Sequence, residues 1–123
     1  MVFAGLAAAL HVLIFYMESI AWEGALARKT FGGTPEEARP HAFYAFNQGF
    51  YNLFLALQAI IGVVLAALGY AAIGAALILA GTGAMLAAAV VLALASAPHR
   101  SAAAKQGTFP LLAVVCTLAA LLG

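Results

Sequence analysis

Four apolar runs alternate along the chain with two polar, charged stretches and one tight turn. The first run extends from Val2 to about Trp22 and is interrupted late by Glu18. Gly24 to Pro40 then brings together Arg28, Lys29, Gly32, Gly33, Pro35, Glu36, Glu37 and Arg39, the mix of punctuation and charge expected of a solvated loop. Within it, Thr34 followed by Pro35, Glu36 and Glu37 predicts a short, capped surface helix. The second run covers about Phe43 to Leu68, and Gly69 and Tyr70 turn the chain into a third, about Ala72 to Ala95. Pro98 to Gly107 forms a second polar connector before a fourth run from about Thr108 to Gly123. A bilayer core about 30 Å thick needs roughly 20 apolar residues per helix. The pattern therefore predicts an all-α membrane bundle: one domain over residues 1–123 with four transmembrane helices. The fourth run is short for a full crossing and would need tilt or local bilayer thinning.

Composition strengthens this reading, because 67% of the 123 residues are hydrophobic and only 7% are charged. That excludes an ordinary soluble domain. No Lys or Arg precedes the first run, so it reads as a retained helix rather than a signal peptide. All five basic residues, Arg28, Lys29, Arg39, Arg100 and Lys105, fall in the first and third connections, which share one side of a four-span protein. The positive-inside rule makes that side cytoplasmic and places both termini and the Gly69 turn outside the cell or in a periplasm. The lone Cys116 excludes an intrachain disulfide. The third run, with Ala80, Ala84 and Ala88 at four-residue spacing beside Gly81 and Gly83, predicts a helix that packs through small residues. No repeat, phosphate-binding glycine loop or basic nucleic-acid patch is present. The expected surroundings are membrane lipid, nucleic acid is excluded as a partner, and self-association is left open.

The polar residues inside the apolar runs carry the chemistry. His11 and Glu18 are seven positions apart, which on an α-helix is only ~20° around the axis and ~10 Å along it. Phe15 and Trp22 continue that stripe, with Tyr16 and Glu23 to either side. An ionisable group within a membrane span is costly unless it faces the bundle interior, so Glu18 is a functional candidate. The second helix opens with Tyr44, Asn47, Gln48, Tyr51 and Asn52, the last four spread over an arc of roughly 140°. Unpartnered amides and phenols are expensive in an apolar medium, so this cluster should meet other polar groups or a polar ligand. Glu18, Trp22 and Asn47 to Asn52 share one depth, with His11 as the floor of a pocket opening toward the cytoplasmic leaflet. Glu18 and His11 are the expected proton-transfer groups, with Tyr16, Trp22, Asn47, Gln48, Tyr51 and Asn52 around a substrate. Against this stands a purely structural reading, in which the same groups hydrogen-bond to lock the bundle. His41 and His99 read as solvated, Glu23 as an interfacial charge, and His11 with Glu18 supply too few ligands for a metal. No cofactor motif appears.

At these residues the chain resembles a family of small four-span bacterial membrane proteins, domain of unknown function 1304. The resemblance rests on His11 followed by Phe15-Tyr16-Met17-Glu18 and Trp22, then Arg28-Lys29 with Phe31-Gly32, then Pro35-Glu36-Glu37-Ala38. Asn47-Gln48-Gly49-Phe50-Tyr51-Asn52 with Phe54-Leu55-Ala56 completes it, so about the first half of the chain is covered. The family pattern also has a Gln shortly before a Pro at the start of the last helix, roles that fall to Gln106 and Pro110 at a longer spacing. The resemblance implies a membrane bundle and no established activity.

Three functions fit these residues. The first is a membrane-embedded enzyme or binding protein for a small lipophilic molecule, with Glu18 exchanging protons and His11 relaying them. The second is a proton-coupled transporter, against which stand the one-sided basic residues and the off-centre Glu18. The third is a structural or assembly subunit of the membrane.

Overall fold

The computed structural model describes every residue from Met1 to Gly123 and contains only helices and their connections. Four stretches are long and apolar enough to cross a membrane: Val2–Ile20, Pro35–Ala67, Ala71–Ala95 and Ala97–Leu122. Helix α1, Val2–Phe15, continues into a π-helical turn over Tyr16–Ile20. Two short helices follow, α2 (Ala25–Phe31) and α3 (Pro35–Ala38), and then the long helices α4 (Ala42–Ala67), α5 (Ala71–Ala95) and α6 (Arg100–Leu122). Around the bundle α1 packs on α4, α4 on α5, α5 on α6 and α6 back on α1, so neighbours in sequence are neighbours in space. The outward faces carry large apolar side chains, among them Leu57, Ile61, Val64, Ile73, Val91 and Leu118. Such a surface suits hydrocarbon rather than water.

The core is made of small residues. Ala7 and Ala8 of α1, Ala56 and Ala59 of α4 and Met85 of α5 form its largest buried cluster. Where packing rather than water exclusion holds helices together, small side chains let backbones approach closely. On α5 the buried stripe is Gly74, Ala75, Ile78, Gly81, Thr82, Met85 and Ala89. Of the expected small residues Gly81 is buried, Ala80 and Ala84 are exposed, and Ala88 is open to a cavity between the helices. Spacing alone identified a packing helix without resolving its face, because small residues surround α5 on all sides.

Several boundaries moved. The first helix ends at Ile20 rather than Trp22, because Ala21 leaves helical geometry at φ −125° and ψ 44°. The stretch read as a loop holds α2, built from Ala25, Leu26, Ala27, Arg28 and Lys29 and stopped by Gly32 and Gly33 at φ 85° and 76°. The short helix after Thr34 forms as expected, its capping box joining Thr34 Oγ1 to the Glu37 amide and the Glu37 carboxyl to the Thr34 amide. Gly69, at φ 100°, makes the turn between α4 and α5. The second connector is mostly helical: α6 starts at Arg100, eight residues before Thr108, and contains Pro110 in its interior.

Candidate functional site

At the end of the bundle that carries Arg28, Lys29, Arg39, Arg100 and Lys105, the four long helices enclose a cavity of about 290 Å³. Its polar wall is His11 and Glu18 from α1 and its π-turn, Gln48 and Asn52 from α4, Gln106 from α6, and His99 from the turn before α6. Its apolar wall includes Ile14, Leu55, Met85 and Leu92, and Phe31 of α2 closes one side. The expectation of a pocket between the first two helices thus widens to a chamber lined by all four.

Glu18 is placed by the π-turn. The Ala21 amide reaches back five residues to the Tyr16 carbonyl at 2.9 Å, the hydrogen bond of a π-helix. Ser19 Oγ in the same turn donates to the Phe46 carbonyl of α4 at 2.7 Å. The Ser19 contact needs α4 to come very close, and Gly49 allows it: a Cβ there would lie 3.1 Å from Glu18 Cβ and 3.0 Å from Ser19 Cβ. Asn52 Nδ2 donates to Glu18 Oε1 at 2.6 Å and to the Gln48 carbonyl of its own helix at 3.3 Å. Asn52 is the one protein donor on this carboxyl. His11 is 3% exposed, and its Nδ1 lies 2.8 Å from the Ala7 carbonyl, so Nδ1 carries a hydrogen and Nε2 is the nitrogen left for the cavity. His99 Nδ1 is 2.6 Å from Ser96 Oγ.

The remaining expected site residues separate into two groups. Tyr16, Asn47 and Tyr51 stand on the outer surface and not in the cavity wall, Tyr16 being 46% and Tyr51 59% exposed. On α4, Asn47 and Tyr51 each lie one position, about 100° around the axis, from the cavity-lining Gln48 and Asn52, which turns them outward. Trp22 lies beyond the π-turn and lines outer clefts that also touch Glu18. Its Nε1 donates to the Ala38 carbonyl at 2.8 Å, its ring packs 5.7 Å from Phe31, and the Arg28 guanidinium stacks over it at 4.3 Å. Arg28 also donates from Nε to the Trp22 carbonyl and from Nη1 to the Gly32 carbonyl. Its buried Nη2 has no hydrogen-bond partner, which leaves the face of the indole as its electrostatic counterpart. Together these contacts fold α2 back over the end of the bundle and seat Phe31 near Ile14, Met17 and Ala27. Glu23 pairs with Arg39 at 2.8 Å on the surface.

Sequence reasoning left out His99 and left Gln106 unassigned. His99 sits next to Pro98 in a polar stretch and gave no sign of its neighbours. Gln106 had a signal in Pro110, since proline cannot donate the i to i−4 bond that the Gln106 carbonyl would otherwise accept.

Among curated proteins and solved structures, none matches the chain. The pattern of DUF1304, described as a protein of unknown function, matches residues 5–118. That match extends beyond the first half, through the cavity-lining part of α5 and into α6 past Gln106 and Pro110. The chain belongs to the DUF1304 family.

Proposed function

We propose that this is a multi-pass protein of the bacterial inner membrane that binds or transforms a small lipophilic molecule in the cavity beside Glu18, with Glu18 exchanging a proton. The observation that carries the reading is the Glu18 carboxyl itself: half-buried, held by a single donor through Oε1, with Oε2 taking no protein hydrogen bond. A carboxyl that served only to lock helices would be expected to have both oxygens engaged. A carboxyl with one oxygen fixed and one open is oriented for a ligand. The cavity's mixed lining supports the same reading, since it pairs a few convergent polar groups with apolar walls.

In this reading the basic connections are cytoplasmic, the termini are on the opposite side, and the cavity opens toward the cytoplasmic leaflet. His11 forms the floor and relays or tunes the proton. Gln48 and Asn52 orient the polar part of the ligand, with Gln106 opposite them. Tyr16, Asn47 and Tyr51 meet headgroups and interfacial water.

The test is mass spectrometry of small molecules co-purifying with the wild-type protein and with Glu18→Gln in mild detergent. Glutamine keeps an acceptor for Asn52 Nδ2, so the fold is expected to survive while proton exchange is lost. A ligand enriched with one form only supports the reading. Equal ligand profiles, together with proton-driven uptake in proteoliposomes that Glu18→Gln abolishes, would replace it by transport.

A further inference from the structure

Around Glu18 the groups whose orientation is fixed, Asn52, His11 and the Glu18 carboxyl, present hydrogen-bond acceptors to the cavity, while the role of His99, held through Nδ1 by Ser96 Oγ, is set by its tautomer. The Asn52 amide directs both known donations elsewhere, to Glu18 Oε1 and to the Gln48 carbonyl, so what it has left to offer is Oδ1. A neutral His11 whose Nδ1–H is held by the Ala7 carbonyl presents the lone pair of Nε2. Glu18 presents Oε2. The Gln48 and Gln106 side-chain amides make no hydrogen bond within the chain and turn either way. No Lys or Arg lines the cavity, so its one formally charged group is a carboxylate.

An acceptor-rich, negatively charged end joined to a wall of Ile14, Leu55, Met85 and Leu92 selects against carboxylates and phosphates, which would face like charge with no donor cation. A protonated amine brings three N–H donors and the opposite charge. We infer that the cavity's ligand is a small lipophilic amine whose ammonium group sits among Glu18, His11 and Asn52 and whose hydrocarbon lies along Leu55, Met85 and Leu92. This rests on the reading that the cavity binds a small lipophilic molecule, and narrows it to one charge class. Because one Glu18 oxygen is already neutralised in part by Asn52, the ammonium docks against Oε2 and donates its remaining hydrogens to neighbouring acceptors.

Three probes of one shape test the charge class: cyclohexylmethylamine, cyclohexylmethanol and cyclohexanecarboxylate, titrated into the detergent-solubilised protein. Trp22 is the sole tryptophan, touches clefts shared with Glu18 and packs on Phe31, so its fluorescence reports on the site. Calorimetry provides a second readout. Wild-type protein should bind the amine, and Glu18→Gln should weaken that binding about tenfold or more, because it removes the charge partner. A second variant, Ala88→Phe, adds bulk to the cavity from its α5 wall and should also reduce amine binding. It keeps the test valid if Glu18→Gln does not fold. Carboxylate binding equal to that of the amine overturns the inference, as does amine binding unchanged in both variants. Alcohol binding as tight as the amine and lost in Ala88→Phe overturns the charge class while leaving the cavity reading standing. No binding of any probe overturns both.

Discussion

Gly49→Ala tests whether the close approach of α4 holds the Glu18 turn in place. A Cβ at this position collides with Ser19 Oγ and comes within 3.0 Å of Ser19 Cβ and 3.1 Å of Glu18 Cβ. Carbon atoms pack without strain at about 3.5–4.0 Å, so the turn and α4 must separate by about 0.4–1.0 Å. The Ser19 hydroxyl must also leave its position, breaking its 2.7 Å bond to the Phe46 carbonyl. Losing that bond costs about 0.5–1.5 kcal/mol and overpacking at a buried site about 1–3 kcal/mol, so a total of about 1.5–4.5 kcal/mol is expected. In a Ser19→Ala background the hydroxyl is already gone, and the added cost of Gly49→Ala should fall by about 1 kcal/mol. Unfolding in detergent, followed by Trp22 fluorescence and by helix content, measures both. The displaced turn moves Glu18 away from Asn52, so amine affinity should fall in Gly49→Ala even under conditions where it remains folded. A stability within about 0.5 kcal/mol of wild type would refute the reasoning, since the contact would then have been relieved without cost.

Two glycines of α5 should differ sharply in their response to alanine. At Gly74 a Cβ would lie 2.6 Å from the Gly62 carbonyl and from the Ala66 amide, both backbone atoms that cannot rotate away, and Gly74→Ala should cost about 3 kcal/mol. At Gly83 nothing lies within 4 Å, so Gly83→Ala should be neutral or stabilising by up to about 1 kcal/mol through helix propensity, read in the same unfolding assay. Trp22→Phe removes the bond to the Ala38 carbonyl and should cost about 1 kcal/mol. The loss should be local, seen as faster amide hydrogen exchange across residues 24–38 with little change in α4 and α5.

The long apolar elements were legible because the solvent of this fold demands them: α4 and α5 match the sequence reading to within one residue at each end. The misplaced boundaries of the two connectors share one cause. Polarity was used to mark where helices stop, yet Ala25-Leu26-Ala27-Arg28-Lys29 and Ser101-Ala102-Ala103-Ala104-Lys105-Gln106 are good helix formers whatever their charge. The pairing of His11 with Glu18 and the presence of Gln48 and Asn52 followed from the cost of polar groups in an apolar medium. The exclusion of Tyr16, Asn47 and Tyr51 did not follow, because it depends on the phase of each helix. The π-turn packs on α4 through an interhelical contact, Gly49 against Ser19, that connects positions thirty residues apart.

The glycines also account for where the cavity lies. Toward the Gly69 turn, α4 and α5 run almost in backbone contact: Gly62 faces the Gly74 carbonyl and the Ile78 amide, and Gly81 faces the Leu55 carbonyl and the Ala59 amide. Beyond Gly81 the inward positions of α5 pass to Met85, Ala88 and Leu92, while those of α4 pass from Leu55 to Asn52 and Gln48. Side chains of that size hold the two helices apart, and the polar ones leave space that the apolar ones do not fill. On the other side α1 is drawn onto α4 through Gly49, which fixes Glu18 at the rim of this space instead of in its centre. A bundle pinned tightly at one end and spread by larger residues at the other has its polar cavity at the spread end, while the cleft among Met1, Ala66, Ile78 and Cys116 at the pinned end is almost wholly apolar. The basic connections lie at the spread end, so under the proposed amine reading the ammonium group would meet the Glu18 carboxyl at the rim before it reached His11.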